Sequence, residues 1–272
     1  MFTRTFAVLG GQLKIRGIAA DPLGATSAPW MIAVVGGVVA TVVAITYLVQ
    51  TIRTRKLSVP ALIFIGTTAM FWQEFYADWG AFLYYNSSFT QLPWWGKSWH
   101  TTPNKPLFVI FGYGWFYSGS FPALMALVRR FRDRHPNWSL GLACTVLVGP
   151  LFFAWNLITA DGAAYFGHWW NYVRTVGPAV HTSQGSLAFL YPALPFAGYA
   201  IVTVYVLSKV DASGQRWFER VARVPNEGVG WRYEMHRAAA WMVGMNALYA
   251  FAFVIPLMLF RTIVLGHSAL VP

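Results

Sequence analysis

Residues 71–89, FWQEFYADWGAFLYYNSSF, decide how this chain is read. Gln73, Glu74 and Asp78 fall at the end of a segment that is otherwise apolar enough to cross a membrane. Glu74 and Asp78 are four residues apart, so on an α-helix their carboxylates lie on one face, one turn apart. Two acidic groups at lipid depth are costly unless they face a protein interior or a wet cavity, which makes the pair a candidate functional site. In a low-dielectric setting both do not ionise cheaply, so one keeps its proton near neutral pH. A neutral carboxylic acid beside an ionised one is an acid–base pair. The neighbouring rings of Trp72, Phe75, Tyr76 and Trp79 offer faces that stabilise positive charge.

Composition agrees with a membrane setting. The 272 residues are 57% hydrophobic and 11% charged, against about 25% charged in soluble domains. The net charge of +11 invites a nucleic-acid reading. The placement of the basic residues argues against nucleic acid as a partner: most lie in short runs between apolar segments, the pattern that orients a membrane protein. The lone Cys144 sits in an apolar run, which leaves no disulfide frame and no thiolate metal site. No cleavable leader is legible in the first residues.

Working outward, the expectation is an all-α, polytopic integral membrane helix bundle of about six transmembrane helices, forming one transmembrane domain over residues 1–272. Residues 1–28 read as an interfacial arm. The spans are expected at about 29–50, 58–85, 106–128, 138–160, 186–208 and 238–264, with Pro192 and Pro195 as kinks in the fifth and Pro256 inside the sixth. Thirteen of the twenty Lys and Arg lie in three connectors on one side: TIRTRK at 51–56, RRFRDR at 129–134, and the stretch 209–237. The positive-inside bias places these in the cytoplasm of a bacterial plasma membrane, with both termini outside. Arg4, Lys14 and Arg16 in the arm oppose that assignment.

In this topology Glu74, Asp78, Asp161, His168 and His181 fall on the outer side, and Tyr113 and Tyr117 share a helix face beneath them. Together with Asn156 they would line a polar pocket. Each has a plainer reading. A carboxylate at a span end hydrates at the interface, as Asp161 would. Loop histidines stay on the surface, tyrosines pack, and Trp94, Trp95 and Trp99 form an interfacial belt. Arg261 snorkels to the interface, or is the counter-ion of Glu74. No histidine box, GxSxG elbow, Walker A or GxGxxG motif is present. The chemistry left is acid–base work with no cofactor and no metal, or none at all.

One order of motifs is more specific. Asp78 is followed by YNSSF (Tyr85–Phe89), a tryptophan-rich loop, TPNKP (Thr102–Pro106) and GYGWFY (Gly112–Tyr117). This order resembles the AveC-like spirocyclase family, small polytopic membrane proteins of actinobacteria. The resemblance covers the middle third by motif and the rest by span count. It implies a part in forming the spiroketal of polyketides, with a dehydratase activity. The positions carried over are Asp78, Tyr85, Asn86, Pro103, Asn104 and Tyr113. Spiroketal closure needs a protonated ketone, two internal hydroxyls and loss of water. The expected roles follow: Glu74, Asp78 and Tyr113 catalytic; Gln73, Tyr85, Asn86, Asn104, Tyr117, Asn156 and Asp161 substrate-binding. The expected partners are the lipid bilayer and a hydrophobic small molecule. The competing readings are a membrane terpene or carotenoid cyclase, and a non-catalytic lipid- or sterol-binding protein or transporter accessory.

Overall fold

The computed structural model describes residues 29–93, 100–162, 167–181, 186–188, 190–268 and 271–272. The expected N-terminal arm and the Trp94, Trp95 and Trp99 cluster lie outside these residues.

The chain is mostly helical. Helices α1 (Pro29–Thr54) and α2 (Val59–Thr68) come first. A 3-10 turn (Phe71–Gln73) leads into the short α3 (Glu74–Gly80) and strand β1 (Leu83–Tyr85). Next are α4 (Phe108–Arg134) and α5 (Leu140–Asn156), the latter prolonged by a π-turn at Leu157–Asp161. Strands β2 (Trp170–Tyr172), β3 (Ala179–His181) and β4 (Ser186–Ala188) precede α6 (Ala193–Ser208). The chain closes through α7 (Trp217–Val221), α8 (Trp231–Tyr249) and α9 (Ile255–Phe260), with π-turns at Ala250–Val254 and Arg261–Leu265.

Local chemistry explains several boundaries. Ser58 and Ser139 cap α2 and α5, their hydroxyls accepting from the amides of Ala61 at 3.3 Å and Leu142 at 3.1 Å, each satisfying one orphan donor. Pro256 has no N–H to give to the preceding turn, and the π-turn just before it absorbs the mismatch. The helix therefore continues from Trp231 to Leu265.

Among the described residues three helical stretches are long and apolar enough to cross a membrane: Met31–Thr54, Leu140–Thr159 and Trp231–Leu265. They fall on the first, fourth and sixth expected spans. The others differ in instructive ways. α4 has 27 residues, but its glycines, tyrosines, serines and basic end lower its apolar character. The second expected span is not one helix. α2 has 10 residues, about 15 Å, and the chain then passes through the 3-10 turn, α3 and β1. The fifth is shorter than expected, because 186–188 is a strand and the 16-residue α6 begins only at Ala193. Pro192 and Pro195 consequently sit at the start of α6 and kink nothing; the first turn is where proline is tolerated.

α2 lies between α4 and α8, α5 packs on α6, and α1 lies against α4. Glycines permit the closest crossings. A Cβ on Gly114 would stand 2.3 Å from Thr68 Oγ1 and 2.8 Å from the Phe64 ring. One on Gly66 would meet Met245 Cγ at 2.8 Å. The core is aromatic: Phe121 stacks on Tyr117 at 4.8 Å and on Phe152 at 5.9 Å.

At one end of the bundle β1 pairs antiparallel with β2, Leu83 opposite Tyr172 and Tyr85 opposite Trp170. At the other end the basic connector is locked by buried acids. Glu219 accepts from Trp241 Nε1 at 2.9 Å, Arg237 Nε at 3.2 Å and the Arg216 amide at 2.9 Å. Glu234 accepts from the Leu57 amide at 3.0 Å. Within this connector the described helical residues are the five of α7 and the first turns of α8, from Trp231.

Candidate active site

The site is built where α3 turns back into the bundle. Its seven residues place Glu74 and Asp78 on one face, with Asp78 buried and Glu74 partly so. The Tyr249 hydroxyl, from α8, donates to Glu74 Oε2 and lies 2.8 Å from the Tyr113 hydroxyl of α4. Asp78 Oδ2 is buried without a hydrogen-bond partner among the described residues. Glu74, Tyr249 and Tyr113 thus form one hydrogen-bonded polar set, with Asp78 and Tyr85 beside it in the same lining.

This set occupies one wall of a cavity of about 350 Å³. The other walls are apolar or aromatic, with Phe108, Phe116, Trp155, Trp170, Phe196 and Phe253 prominent. Asn156 also lines it, and its Nδ2 is buried with no hydrogen-bond partner. Trp155, in the lining, is 42% exposed and stacks on Phe116 with centroids 5.2 Å apart. Leu151 and Ile158 are also exposed on the same helical stretch.

Of the expected site residues, Glu74, Asp78, Tyr85, Tyr113, Tyr117 and Asn156 line the cavity together. Gln73, Asn86 and Asn104 do not. Gln73 Nε2 is held by Asn246 Oδ1 at 2.8 Å. Asn86 Nδ2 donates to the His168 carbonyl at 2.9 Å, and its Oδ1 accepts from the Ser88 amide at 3.0 Å. Asn104 Nδ2 donates to the Tyr85 carbonyl at 2.6 Å, and Thr102 Oγ1 to the Leu83 carbonyl at 2.7 Å. The YNSSF and TPNKP motifs are therefore ties that lash β1 in place, so their amides bond backbone where a substrate oxygen was expected. Asp161 ends the π-turn after α5, and its side chain, like that of His181, lies outside the described residues.

Arg261 neither snorkels nor pairs with Glu74. It is fully buried, donates to the Trp79 and Val271 carbonyls, and lays its guanidinium over the rings of Trp79 at 3.8 Å and Phe82 at 4.2 Å. Phe82 makes the turn from α3 to β1 with φ of 58°, a conformation rare for a bulky residue and found where surrounding structure enforces it. The residues that sequence reasoning missed are chiefly Tyr249, Trp170 and Tyr172. Tyr249 left one cue: with Asn246 it forms an i, i+3 polar pair within the otherwise apolar stretch 238–260. Among the described residues no three of His, Cys, Asp and Glu gather to hold a metal ion.

Fold and site define a helical protein with apolar, span-length helices and a carboxyl–phenol cluster walled into an aromatic cavity. The family model described as spirocyclase AveC-like matches residues 54–272. The chain belongs to the AveC-like spirocyclase family, which suggests a cyclase- or dehydratase-type role. No curated protein and no solved structure matches it.

Proposed function

We propose that this chain is a single-domain, six-span integral membrane protein that closes an apolar dihydroxy-ketone into a spiroketal with loss of water, using its own acid–base groups. One observation carries the reading: Asp78, whose Oδ2 is buried without a hydrogen-bond partner among the described residues, lies beside Glu74 in the lining of a cavity walled mainly by aromatic and apolar residues. A buried acceptor without a partner is uncommon and marks a place that a ligand completes. The membrane setting is supported by α1, whose 24-residue apolar stretch leaves many of its valines, isoleucines and leucines exposed, and by the exposed Trp155 in the cavity lining, which suits a greasy substrate arriving through lipid.

The chemistry balances without a further reactant. One of Glu74 and Asp78 holds a proton and gives it to the ketone oxygen; the other, ionised, takes the proton of the first hydroxyl as its oxygen bonds to the carbonyl carbon. The hemiketal hydroxyl is then protonated and leaves as water, forming an oxocarbenium ion. The second hydroxyl attacks that carbon, and its proton returns the pair to its starting state. Confinement holds the hydroxyls near the carbon. The ionised carboxylate and the faces of Phe108 and Phe116 oppose the developing positive charge. Tyr113 and Tyr249 fix the Glu74 carboxyl, and Tyr117 and Asn156 are positioned to orient substrate oxygens.

The test is turnover of a long-chain dihydroxy-ketone in lipid nanodiscs by wild type, Glu74→Gln and Asp78→Asn, read by mass spectrometry as a product lighter by one water. The proposal expects loss of at least about a hundredfold in both variants, the scale of general acid–base contributions. Unchanged turnover in both would remove the pair from the mechanism. A bound lipid that leaves wild type unaltered would favour the non-catalytic reading.

A further inference from the structure

A second cavity, of about 420 Å³, lies at the other end of the bundle. It is lined by the start of α2 (Val59, Pro60), the last turns of α4, Leu140 of α5 and the end of α6. Tyr113 and Arg129 mark the two cavities along α4, and sixteen residues of helix separate them by about 24 Å. The first cavity is acidic; this one contains Arg129, Arg132 and Arg216 against a single acid, Asp133. Each arginine has donors to give. Arg132 uses Nε on the Trp138 carbonyl at 3.3 Å. Arg216 uses Nε on the Leu207 carbonyl at 2.9 Å, with Nη1 3.8 Å from Glu219. Arg129 has no hydrogen-bond or ion-pair partner among the described residues. The Ser208 hydroxyl, also in the lining, is buried and has no hydrogen-bond partner among the described residues. The remaining wall is apolar, with Val59, Met125, Leu207 and Val210. Arginine forks match phosphate oxygens, and an apolar wall beside them matches the acyl chain below a headgroup. Arginines clustered at a helix end also lie where an anionic leaflet places its phosphates.

We propose that this cleft is a binding site for the phosphate headgroup of an anionic membrane lipid, held by Arg129, Arg132 and Arg216 with Ser208 as a further donor. The proposal goes beyond the cyclase reading, and its test involves no turnover. Purified full-length protein in a neutral detergent is titrated with short-chain phosphatidylglycerol, short-chain phosphatidylcholine or inorganic phosphate. Thermal unfolding midpoint and retained lipid by native mass spectrometry are followed. Phosphatidylglycerol is expected to raise the midpoint saturably, with one lipid retained, while the other two at equal concentration do not. An Arg129→Gln, Arg132→Gln variant is expected to need about twenty-five times more lipid, since a basic side chain at a membrane surface is worth about a factor of five. Both side chains are exposed, so the variant should fold. Arg130→Gln, Arg134→Gln removes equal charge from the same helix outside the cleft and is expected to bind as wild type. An equal shift from phosphatidylcholine or inorganic phosphate, an unmoved curve in the cleft variant, or an equal loss in the control variant would each overturn the proposal.

Discussion

Replacing Tyr249 with phenylalanine isolates the contact that joins the two ends of the chain at the site. The residue is fully buried, and its hydroxyl donates to Glu74 while lying 2.8 Å from the Tyr113 hydroxyl. The change removes one oxygen and leaves the ring, which packs edge-on against Tyr199 at 5.0 Å. The loss is the contact with the Tyr113 hydroxyl and, the larger of the two, the hydrogen bond to the acidic group of Glu74. Such a bond is worth roughly 1.5–3 kcal/mol. At about 2–4 °C per kcal/mol for a chain near this size, a loss of about 2 kcal/mol lowers the unfolding midpoint by about 4–8 °C. Thermal unfolding in mild detergent, followed by tryptophan fluorescence, measures it for wild type, Tyr249→Phe, Glu74→Gln and the double variant. If the hydroxyl acts through Glu74, the two changes couple by about 1–2 kcal/mol. Additivity within about 0.5 kcal/mol, the behaviour of independent sites, would refute the reasoning.

Three further outcomes follow from other parts of the molecule. Glu219→Ala should cost about 3–5 kcal/mol in denaturant or thermal unfolding, because it strands Arg216 and Arg237 beside a buried indole N–H. Gly114→Ala should cost about 1–3 kcal/mol by driving α4 against Thr68 and Phe64, and adding Thr68→Ala should recover part of the loss. Asp211, in the connector after α6, is held below the usual carboxylate range by the Ser213 hydroxyl first and then by backbone amides. Its stabilising effect is present above the unfolded value near pH 3.9 and is lost as pH falls through the lower folded value. The midpoint gap between wild type and Asp211→Asn should accordingly hold steady from pH 7 to 5 and close below about pH 4.

The sequence carried the acid pair because its evidence is local. Four-residue spacing on a helix needs no knowledge of the fold, and α3 preserves it even though the helix has only seven residues. Tyr113 and Tyr117 were legible for the same reason. The partners of these groups were not: Tyr249 reaches Glu74 across 175 residues, and Trp170 reaches Tyr85 through a strand pair. Hydropathy treated 58–85 as one span because every part of it is apolar, yet burial is indifferent to whether an apolar segment is helix, 3-10 turn or strand. Arg261 misled for a physical reason. A lone arginine near a helix end normally reaches for water, and here two rings and two carbonyls replace the water. Asn86 and Asn104 drew attention as polar residues in a specific motif, but what the motif preserves is the placement of Tyr85.

Among the described residues the cavity takes its walls from α3, β1, α4, α5, β2, α6 and α8, with the π-turns that prolong α5 and α8, and none from α1. The first helix reaches the chamber only through α4, against which one of its sides packs, while its other side meets the surroundings with exposed apolar residues. Changes on that outer side would alter what sits beside the protein and leave the lining of the chamber as it is. A designer could rewrite the outward residues of that helix, and selection is free to tune them for a different neighbour, without reopening the question of how Glu74 and Asp78 are held.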